Sequence, residues 1–487
     1  MSSCTTILVG KKASYDGSTM IARNEDSPSG QFWCKKLSIF NPENSSTQYK
    51  SKISNLTIEL PKNPLKHIYF PKIDLSEGVW GGSGINSKNV AITATETITS
   101  NERVLGADPL IDLSKEENKG KYGIGEEDFV LLVLPFINTA REGVKRVAEL
   151  LEKYGTYESN GMAFSDENEI WWLETIGGHH YIAKKVPDDK VVIMPNQFGL
   201  DDYDLTDALG SQENHICSSD LLDFIKKNHL NFNQNEKKFN PRIAFGSHTD
   251  FDHVYNTPRA WYLGRYLAKN QYKWDGPNAN FKPDSDNIPW SFTPDHLITI
   301  EDVKYLLSSH FQGTPFDPYS KGDNPLKNKY RVIGINRTGF VHLCQIRGYI
   351  NNNDLKPIIW FSFGACTFNT LTPFYTNVNK VPEYYSNTTL KVNTNNFYWQ
   401  NRLIGALADS QFNLNAPHIE RYQLNTMSNS HQIISKYDNE YKDDTSLLEK
   451  ANQEIADMIQ ELTDDTLNKV LFSTSCHMKT AFFRNDN

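Results

Sequence analysis

Two short apolar runs at the start of the chain limit its possible folds more than any other feature. Residues 4–9 and 18–22 are rich in β-branched and apolar side chains, and the link between them contains Asp16 and Gly17. β-branched residues favour strands, and an Asp-Gly pair between two such runs is typical of a hairpin turn. We therefore predict a β-hairpin that begins almost at residue 4.

Strand-like and helix-like segments along the remaining chain predict the α+β class. Apolar runs bounded by Gly, Asn or Asp predict strands over residues 89–95, 169–174, 181–183 and 191–194. Helical spacing and helix-start signals predict helices over residues 128–138, 139–154, 259–269, 300–308 and 445–471. Polar segments predict turns between strands at residues 351–354 and 393–396. The expected architecture is mostly antiparallel sheets with helices layered on their faces.

Charge and hydropathy exclude several classes of partner. The 50 basic and 59 acidic residues give a formal charge of -9, and no run of Lys or Arg could follow a phosphate backbone, so no nucleic-acid partner is expected. No apolar stretch reaches the roughly 18 residues of a membrane span, and the first residues lack the basic and apolar regions of a signal peptide. We expect a cytoplasmic protein with no membrane partner.

Six cysteines lie singly along the chain, without a CxxC pair. This pattern is typical of reduced thiols in a cytosolic protein. Cys4 differs from the others because it opens the first predicted strand, although from its position alone it is a small apolar residue at a strand edge. The other five are expected to be small buried hydrophobic residues: Cys34, Cys217, Cys344, Cys366 and Cys476.

Cys4 could combine a nucleophile and a base in one residue. If Met1, Ser2 and Ser3 are removed, Cys4 carries both a thiol and a free α-amine. The reference pKa of an α-amine, about 7.7–8.0, lets it accept the proton of the thiol near neutral pH. A guanidinium beside the thiol would favour the thiolate, and Arg23 on the second predicted strand is the candidate.

The register of the predicted hairpin decides which residue faces Cys4. A loop over residues 10–17 pairs Cys4 with Arg23, whereas a tight Asp-Gly turn pairs Cys4 with Ser29. In both registers Arg23 lies beside the thiol or within a few residues of it. The alternative is that Arg23 and Asp26 form an ordinary surface ion pair.

A series of short motifs follows in chain order through most of the sequence. They are residues 4–6 (CTT), 16–18 (DGS), 23–27 (RNEDS), 84–86 (GIN), 90–92 (VAI), 95–97 (TET), 195–197 (PNQ), 248–253 (HTDFDH), 257–261 (TPRAW), 313–318 (GTPFDP) and 373–375 (PFY). Together they resemble the dipeptidase A-type cysteine dipeptidases, relatives of the bile-salt hydrolases and penicillin V acylases in the Ntn-hydrolase superfamily. The resemblance implies a four-layer αββα sandwich with mostly antiparallel sheets. Residues 1–3 would be a short propeptide, and residues 4–487 a single catalytic domain with an irregular surface excursion near 270–294.

The resemblance also implies roles for five residues. Cys4 matches the nucleophile, Arg23 the basic residue beside the thiol, and Asp26 the carboxylate that holds the new α-amine. Asn196 matches the amide of the oxyanion hole, and Arg259 an arginine that supports the site from the start of a helix. Arg259 could equally clamp a substrate carboxylate. The implied activity is hydrolysis of dipeptide substrates through a thioester, with no metal or other cofactor.

Three points stay open at this stage. The acylase relatives have a second asparagine about where Thr95 and Glu96 stand, so the second oxyanion donor is undefined, and a backbone N–H could replace it. Ser2 and Ser3 must leave together with Met1 before the amine of Cys4 is free. The sequence names neither the residues that bind the charged ends of a dipeptide nor the oligomeric state, with a homo-oligomer among the alternatives.

Two other functions compete with the dipeptidase. An N-acyl amide acylase would use the same thiol, and residues 313–318 and 373–375 favour the dipeptidase over it. With 12% aromatic residues, the chain could instead be a non-catalytic peptide- or carbohydrate-binding protein. A metal site at residues 248–253 is disfavoured because it lacks HExxH spacing, and one at residues 179–180 because adjacent strand residues point to opposite faces.

Overall fold

The computed structural model describes residues 4–232 and 239–480, so the predicted propeptide at residues 1–3 lies outside the described residues. Seventeen strands are described. They are β1 (Thr5–Val9), β2 (Thr19–Asp26), β3 (Ser38–Phe40), β4 (Gln48–Lys50), β5 (Thr57–Glu59), β6 (His67–Tyr69), β7 (Ser83–Asn86), β8 (Ala91–Thr97), β9 (Asn160–Ser165), β10 (Ile170–Ile176), β11 (His180–Lys185), β12 (Val191–Met194), β13 (His215–Cys217), β14 (Ser291–Phe292), β15 (Thr338–Ile346), β16 (Pro357–Phe363) and β17 (Thr372–Tyr375).

Helices make up most of the remaining regular structure. Two 3₁₀ turns lie at Pro42–Asn44 and Leu134–Phe136. The α-helices are α1 (Glu102–Ala107), α2 (Phe129–Val133), α3 (Ala140–Tyr154), α4 (Leu205–Leu209), α5 (Leu221–Lys227), α6 (Pro241–Phe245), α7 (Asp250–Tyr255), α8 (Thr257–Leu267), α9 (Ile300–Leu307), α10 (Glu383–Ser386), α11 (Phe397–Ser410), α12 (Phe412–Glu440) and α13 (Thr445–Cys476).

Fifteen of the described strands form two large sheets that stack face to face, and β4 and β5 pair separately. One sheet has seven strands in the order β14-β12-β1-β2-β15-β16-β17, and the other has eight in the order β13-β11-β10-β9-β8-β7-β6-β3. Paired strands within both sheets run antiparallel. Strand β2 of the first sheet contacts β8 and β9 of the second, so the start of the chain lies between the sheets.

Helices cover the outer face of each sheet. Helix α3 packs on β9, β10 and β11, while α11, α12 and α13 pack on β16 and β17. Successive side chains of β10 point to opposite faces of its sheet. Trp172 belongs to the core between the sheets, whereas Trp171 and Leu173 belong to the core under α3. The predicted α+β sandwich with mostly antiparallel sheets is therefore confirmed.

Helix α3 forms because its apolar residues fall on one stripe. Val144, Val147 and Leu151 are buried at helical spacing against the second sheet. Thr139 caps the start by accepting a hydrogen bond from the backbone N–H of Glu142 at 3.1 Å, and Gly155 ends the helix with a φ of 63°. The predicted limits of this helix are confirmed.

The second half of the chain contains the main difference from the sequence prediction. The prediction of a turn between strands at 393–396 is wrong, because Asn396 is the N-cap of helix α11 and accepts from the N–H of Trp399 at 2.9 Å. The long helix α12 follows. Its buried positions are interspersed with Asn, Ser and Gln, so they give a weak periodic signal, and packing against α13 and β17 stabilises it.

Residues 270–294 contain little regular structure beyond β14, which pairs with β12 at the edge of the first sheet. Trp274, Phe281 and Trp290 in this stretch are buried and join the core between the layers. Among the described residues, no helix combines the length and apolar character needed to cross a bilayer.

Candidate active site

The hairpin of β1 and β2 brings Cys4 and Arg23 together. The hairpin is confirmed, but neither predicted register occurs, because Thr6 pairs with Arg23 and Thr5 with Asn24. The link between the strands contains two local turns, one of which is closed by Asp16 accepting from the N–H of Ser18. The rules that relate loop length to register apply to tight hairpins and do not include such turns, so they gave the wrong register. Side chains two apart share a face, so Cys4 lies diagonal to Arg23, and Nη1 of Arg23 donates to Sγ of Cys4 at 3.1 Å.

Arg23 is fully buried and held by backbone carbonyls and carboxylates. Its guanidinium donates to the carbonyls of Ala94 at 2.6 Å and Gly82 at 3.3 Å, and it pairs with Glu25 at 3.1 Å and Glu126 at 3.6 Å. The surface ion-pair alternative is therefore wrong. Burial opposes the charged form, but the attraction to nearby acidic groups, including Cys4, Glu25 and Glu126, outweighs it and raises the pKa of Arg23.

Gly82 shows how closely the chain approaches this guanidinium. Its φ is +69°, and a Cβ at this position would lie 2.8 Å from a carboxylate oxygen of Glu25 and 3.1 Å from Nζ of Lys35. Only glycine adopts this conformation without strain and without displacing the ion pair of Glu25 with Lys35, which is 2.6 Å long.

The surroundings of the Cys4 thiol favour its neutral form. Burial raises the pKa of Cys4, and nearby Glu96 and Glu126 raise it further, while Arg23 lowers it. The guanidinium of Arg23 therefore acts in the expected direction, but desolvation of the anion outweighs its attraction to Arg23. A nucleophilic Cys4 needs a base that takes its proton.

Asp26 is also buried, at the end of β2. The hydroxyl of Thr338 donates to Oδ1 of Asp26 at 2.6 Å, and the guanidinium of Arg331 pairs with Oδ2. Asn24, two residues earlier, accepts from the backbone N–H of Thr5 at 2.7 Å and so fixes the chain next to Cys4. Asp26 thus presents a fixed carboxylate beside the start of β1.

Arg259 joins the start of β1 to Asn196. Its five N–H groups all donate to protein acceptors: the carbonyls of Cys4 and Tyr255, the hydroxyl of Thr5 at 2.7 Å, and the side-chain oxygens of Asn196 at 2.9 Å and Asn256 at 2.8 Å. Because Arg259 is fully buried and every donor is used, it has no N–H left for a substrate carboxylate.

The amide of Asn196 is oriented from three sides. Its oxygen accepts from Arg259, its Nδ2 donates to the carbonyl of Thr97 at 3.0 Å, and its backbone carbonyl accepts from Asn256 at 3.0 Å. An amide nitrogen carries two N–H groups, so one remains for a ligand. Asn196 and Thr97 line a cavity of about 380 Å³, which Arg337 also lines.

Two buried carboxylates that the sequence did not single out as functional lie near the thiol. Glu96 accepts from the hydroxyl of Thr6 at 2.6 Å, and Glu126 lies beside Arg23. Burial raises the pKa of Glu96 to about 7, and burial together with Glu158 raises the pKa of Glu126 to about 8. The acidic run at residues 126–128 is the sequence feature that could have indicated Glu126. It is a weak indication of function, because acidic residues are common at the start of a helix for structural reasons.

The two histidine segments have structural partners. His253 and His248 both lie near Asp286, at 3.0 and 3.9 Å, and Asp252 caps helix α7. Among residues 4–232 and 239–480, no group of three His, Cys, Asp or Glu side chains could hold a metal ion.

His179 and His180 share one partner, contrary to the expectation that they point apart. Both Nδ1 atoms lie within 2.8 Å of Asp108, because His179 belongs to a turn and only His180 to the strand. Cys476 is a second correction, since it is exposed near the end of α13, whereas Cys34, Cys217, Cys344 and Cys366 are buried as predicted.

A larger cavity lies elsewhere, between α9 and α12. Its volume is about 480 Å³, and its lining includes Lys304, Phe368 and Leu424 but no residue of the Cys4 cluster. The smaller cavity is lined by Asn196, and Arg259 bonds both to that amide and to the carbonyl of Cys4, so this cavity is the candidate substrate site.

Known proteins similar to this chain agree with a hydrolytic site. The model of peptidase family C69 matches residues 3–425. The chain is 49% identical to "Dipeptidase" of Bifidobacterium longum (strain NCC 2705), covering 99% of both chains, and 46% identical to "Probable dipeptidase A" of Streptococcus pyogenes serotype M18 (strain MGAS8232), covering 99% and 98%. It is 42% identical to "Dipeptidase A" of Lactobacillus helveticus, covering 96% of both.

These matches show that the protein is an enzyme that hydrolyses peptide bonds. More particularly, the chain belongs to peptidase family C69, the dipeptidase A family.

Proposed function

We propose that the protein is a cysteine dipeptidase of the N-terminal-nucleophile type, with Cys4 as its nucleophile after residues 1–3 are removed. The observation that carries the proposal is the buried contact of 3.1 Å between Sγ of Cys4 and Nη1 of Arg23. The names of the relatives support dipeptides as the substrate. Residues 4–487 would then form a single catalytic domain.

The α-amine of Cys4 is the proposed base. While Cys4 is bonded to Ser3 its nitrogen is an amide, which accepts no proton, and burial keeps the pKa of its thiol raised. Removal of residues 1–3 creates an amine whose reference pKa is about 7.7–8.0, close enough to neutral pH to take the proton of the thiol. Asp26 is the proposed carboxylate that orients this amine.

Acyl transfer then proceeds in two steps. The thiolate attacks the peptide carbonyl, the C–N bond breaks, and the leaving amine takes the proton held by the α-amine of Cys4. Water hydrolyses the resulting thioester, using the same amine as base. The free N–H of Asn196 is suited to donate to the oxyanion, and Arg259 holds that amide in place.

Arg337 is the proposed partner of the substrate's C-terminal carboxylate. It lines the cavity beside Asn196 and is close enough to Cys4 and Asp26 to interact with their charges. Every N–H group of Arg259 is used, whereas Arg337, which donates to the carbonyl of Ser27, lines the cavity, so Arg337 is the better candidate of these two arginines for binding that carboxylate. All six cysteines are free, which supports a reducing, cytoplasmic location.

Replacement of the nucleophile tests the proposal. Cys4→Ala should abolish dipeptide hydrolysis while circular dichroism and thermal unfolding stay close to those of the parent. Cys344→Ala is the matched control, because Cys344 is equally buried but lies in β15 within the core. A Cys4→Ala protein that cleaves dipeptides at the parental rate would contradict the proposal.

A further inference from the structure

The thiol of Cys4 and Glu126 share one guanidinium nitrogen. Nη1 of Arg23 lies 3.1 Å from Sγ of Cys4 and 3.6 Å from Oε1 of Glu126, so the carboxylate and the sulfur are no farther apart than the sum of these distances. Glu96 lies on the same side, because its partner Thr6 is two residues from Cys4 on the same face of β1. Two buried carboxylates therefore flank the sulfur.

Each of these carboxylates has an oxygen without a partner. Oε1 of Glu96 and Oε2 of Glu126 are buried and have no hydrogen bond of normal geometry within the described part of the chain. Burying a carboxylate oxygen without a donor is unfavourable, so such atoms in one place indicate a missing ligand. Two unsatisfied carboxylate oxygens next to a proposed nucleophile point to a donor group on the substrate.

An α-ammonium group supplies the donors that this place needs. It carries three N–H groups and a positive charge and has no acceptor. In an α-aminoacyl group the nitrogen is two bonds, about 2.5 Å, from the carbonyl carbon, so a carbonyl in contact with Sγ brings its ammonium close to the same carboxylates.

We propose that Glu96 and Glu126 bind the α-ammonium group of the substrate. The protein then takes peptides with a free N-terminus and rejects N-acylated amides. This inference rests on the proposed function of Cys4, since it places the ammonium beside the carbonyl that Cys4 attacks.

The placement of the neighbouring cavity agrees with this assignment. Thr97, on the same strand as Thr95 and Glu96, lines the 380 Å³ cavity together with Arg337. In the proposed pose, a dipeptide extends from this cavity to the thiol, with its carboxylate towards Arg337, its carbonyl at Cys4 and its ammonium near the two carboxylates. The acidic groups would then face the ammonium of the dipeptide, and the basic Arg337 its carboxylate.

A purely structural role for these carboxylates makes a different prediction. If Glu96 and Glu126 only balance the charge of Arg23 and Arg259, their loss should affect every substrate equally. If they bind ammonium, their loss should affect only substrates that carry one. A pair of substrates that differ in this single group separates the two roles.

The experiment compares alanyl-alanine with propionyl-alanine, which lacks only the ammonium group. We expect the parent enzyme to cleave alanyl-alanine with a kcat/KM about 10- to 100-fold higher, the value of a charged hydrogen bond. Glu96→Gln and Glu126→Gln should each lose most of this preference, by raising KM for alanyl-alanine while kcat/KM for propionyl-alanine stays within about threefold. Glu127→Gln is the matched control, because Glu127 is buried next to Glu126 but bonds to Ser51 and Tyr157.

Each outcome decides between the possibilities. Equal cleavage of both substrates by the parent enzyme overturns the inference without any variant, so a variant that fails to fold does not rescue it. Equal losses on both substrates in folded Gln variants overturn it too. Failure of the parent enzyme to cleave any dipeptide, or full activity of Cys4→Ala, would instead remove the proposed function beneath it.

Discussion

Replacement of Arg259 by lysine separates its two possible roles. Lysine keeps the positive charge, but its three N–H groups on one nitrogen cannot replace the five bonds from the three nitrogens of Arg259. Among the five are the bonds of Nη2 to the side-chain oxygens of Asn196 and Asn256 at 2.9 and 2.8 Å. The amide of Asn196 keeps its bond to the carbonyl of Thr97, so we expect its oxyanion contact to weaken without disappearing.

The size of the effect follows from the chemistry of oxyanion donors. Complete loss of one donor costs about 2.7–4 kcal/mol in the transition state. For the partial loss in Arg259→Lys we expect about 1.5–3 kcal/mol, which is a decrease in kcat of about 10- to 100-fold with KM nearly unchanged. The lost hydrogen bonds should also lower the free energy of unfolding by about 2–4 kcal/mol.

Steady-state kinetics on a dipeptide, together with urea unfolding, measure both effects. Arg265→Lys is the matched control, because Arg265 lies on the same helix but is partly exposed and bonds to Asp275. Its kinetics should equal those of the parent. An Arg259→Lys enzyme with unchanged kcat and a KM raised more than about tenfold would refute the reasoning, because it would make Arg259 a clamp for the substrate carboxylate.

Three further predictions follow from the site. Asn196→Ala should lower kcat about 100- to 1000-fold in steady-state assays, with a KM within a few-fold of the parental value, because it removes a donor to the oxyanion; a raised KM with the same kcat would contradict this role. The kcat/KM for a dipeptide should rise as the pH increases through about 7, because burial raises the pKa of Glu96 to about 7 and the neutral acid below it binds ammonium poorly. Glu96→Gln should lose the part of the rise near pH 7 and keep the part near pH 8, where Glu126 and the α-amine titrate. Gly82→Ala should lower the free energy of unfolding, measured in urea, by about 2–4 kcal/mol, because φ is +69° and the new Cβ would meet Glu25. Gly30→Ala is the control: its φ is also positive, but a Cβ there would meet no neighbouring atom among the described residues, so the free energy of unfolding should fall by only about 1–2 kcal/mol.

Local patterns allowed much of the fold to be predicted. Strand β12 occupies the predicted residues 191–194, and helix α3 has the predicted limits, because short-range apolar spacing and a cap determine them. Helices α11 and α12 escaped prediction because packing against β16, β17 and α13 stabilises stretches whose own apolar periodicity is weak. Long-range packing, which the sequence does not express locally, accounts for this difference.

The residues of the candidate site also differ in whether local sequence or long-range packing brings them together. Arg23 could be associated with Cys4 because both lie on one hairpin, although the actual register depends on turns inside the link. Glu126 comes to the thiol from a distant segment, through the stacking of the two sheets, and no local motif marks it. The number of N–H groups that Arg259 uses is likewise visible only when its neighbours from three other segments are in place.

Determination of the N-terminal residue of the purified, active protein tests the central claim most directly. Intact mass and N-terminal sequencing of the fraction that hydrolyses dipeptides should give a chain that starts at Cys4, with its α-amine free. A fully active chain that still begins at Met1, Ser2 or Ser3 would contradict the account, because its cysteine nitrogen would be an amide and could not serve as the base.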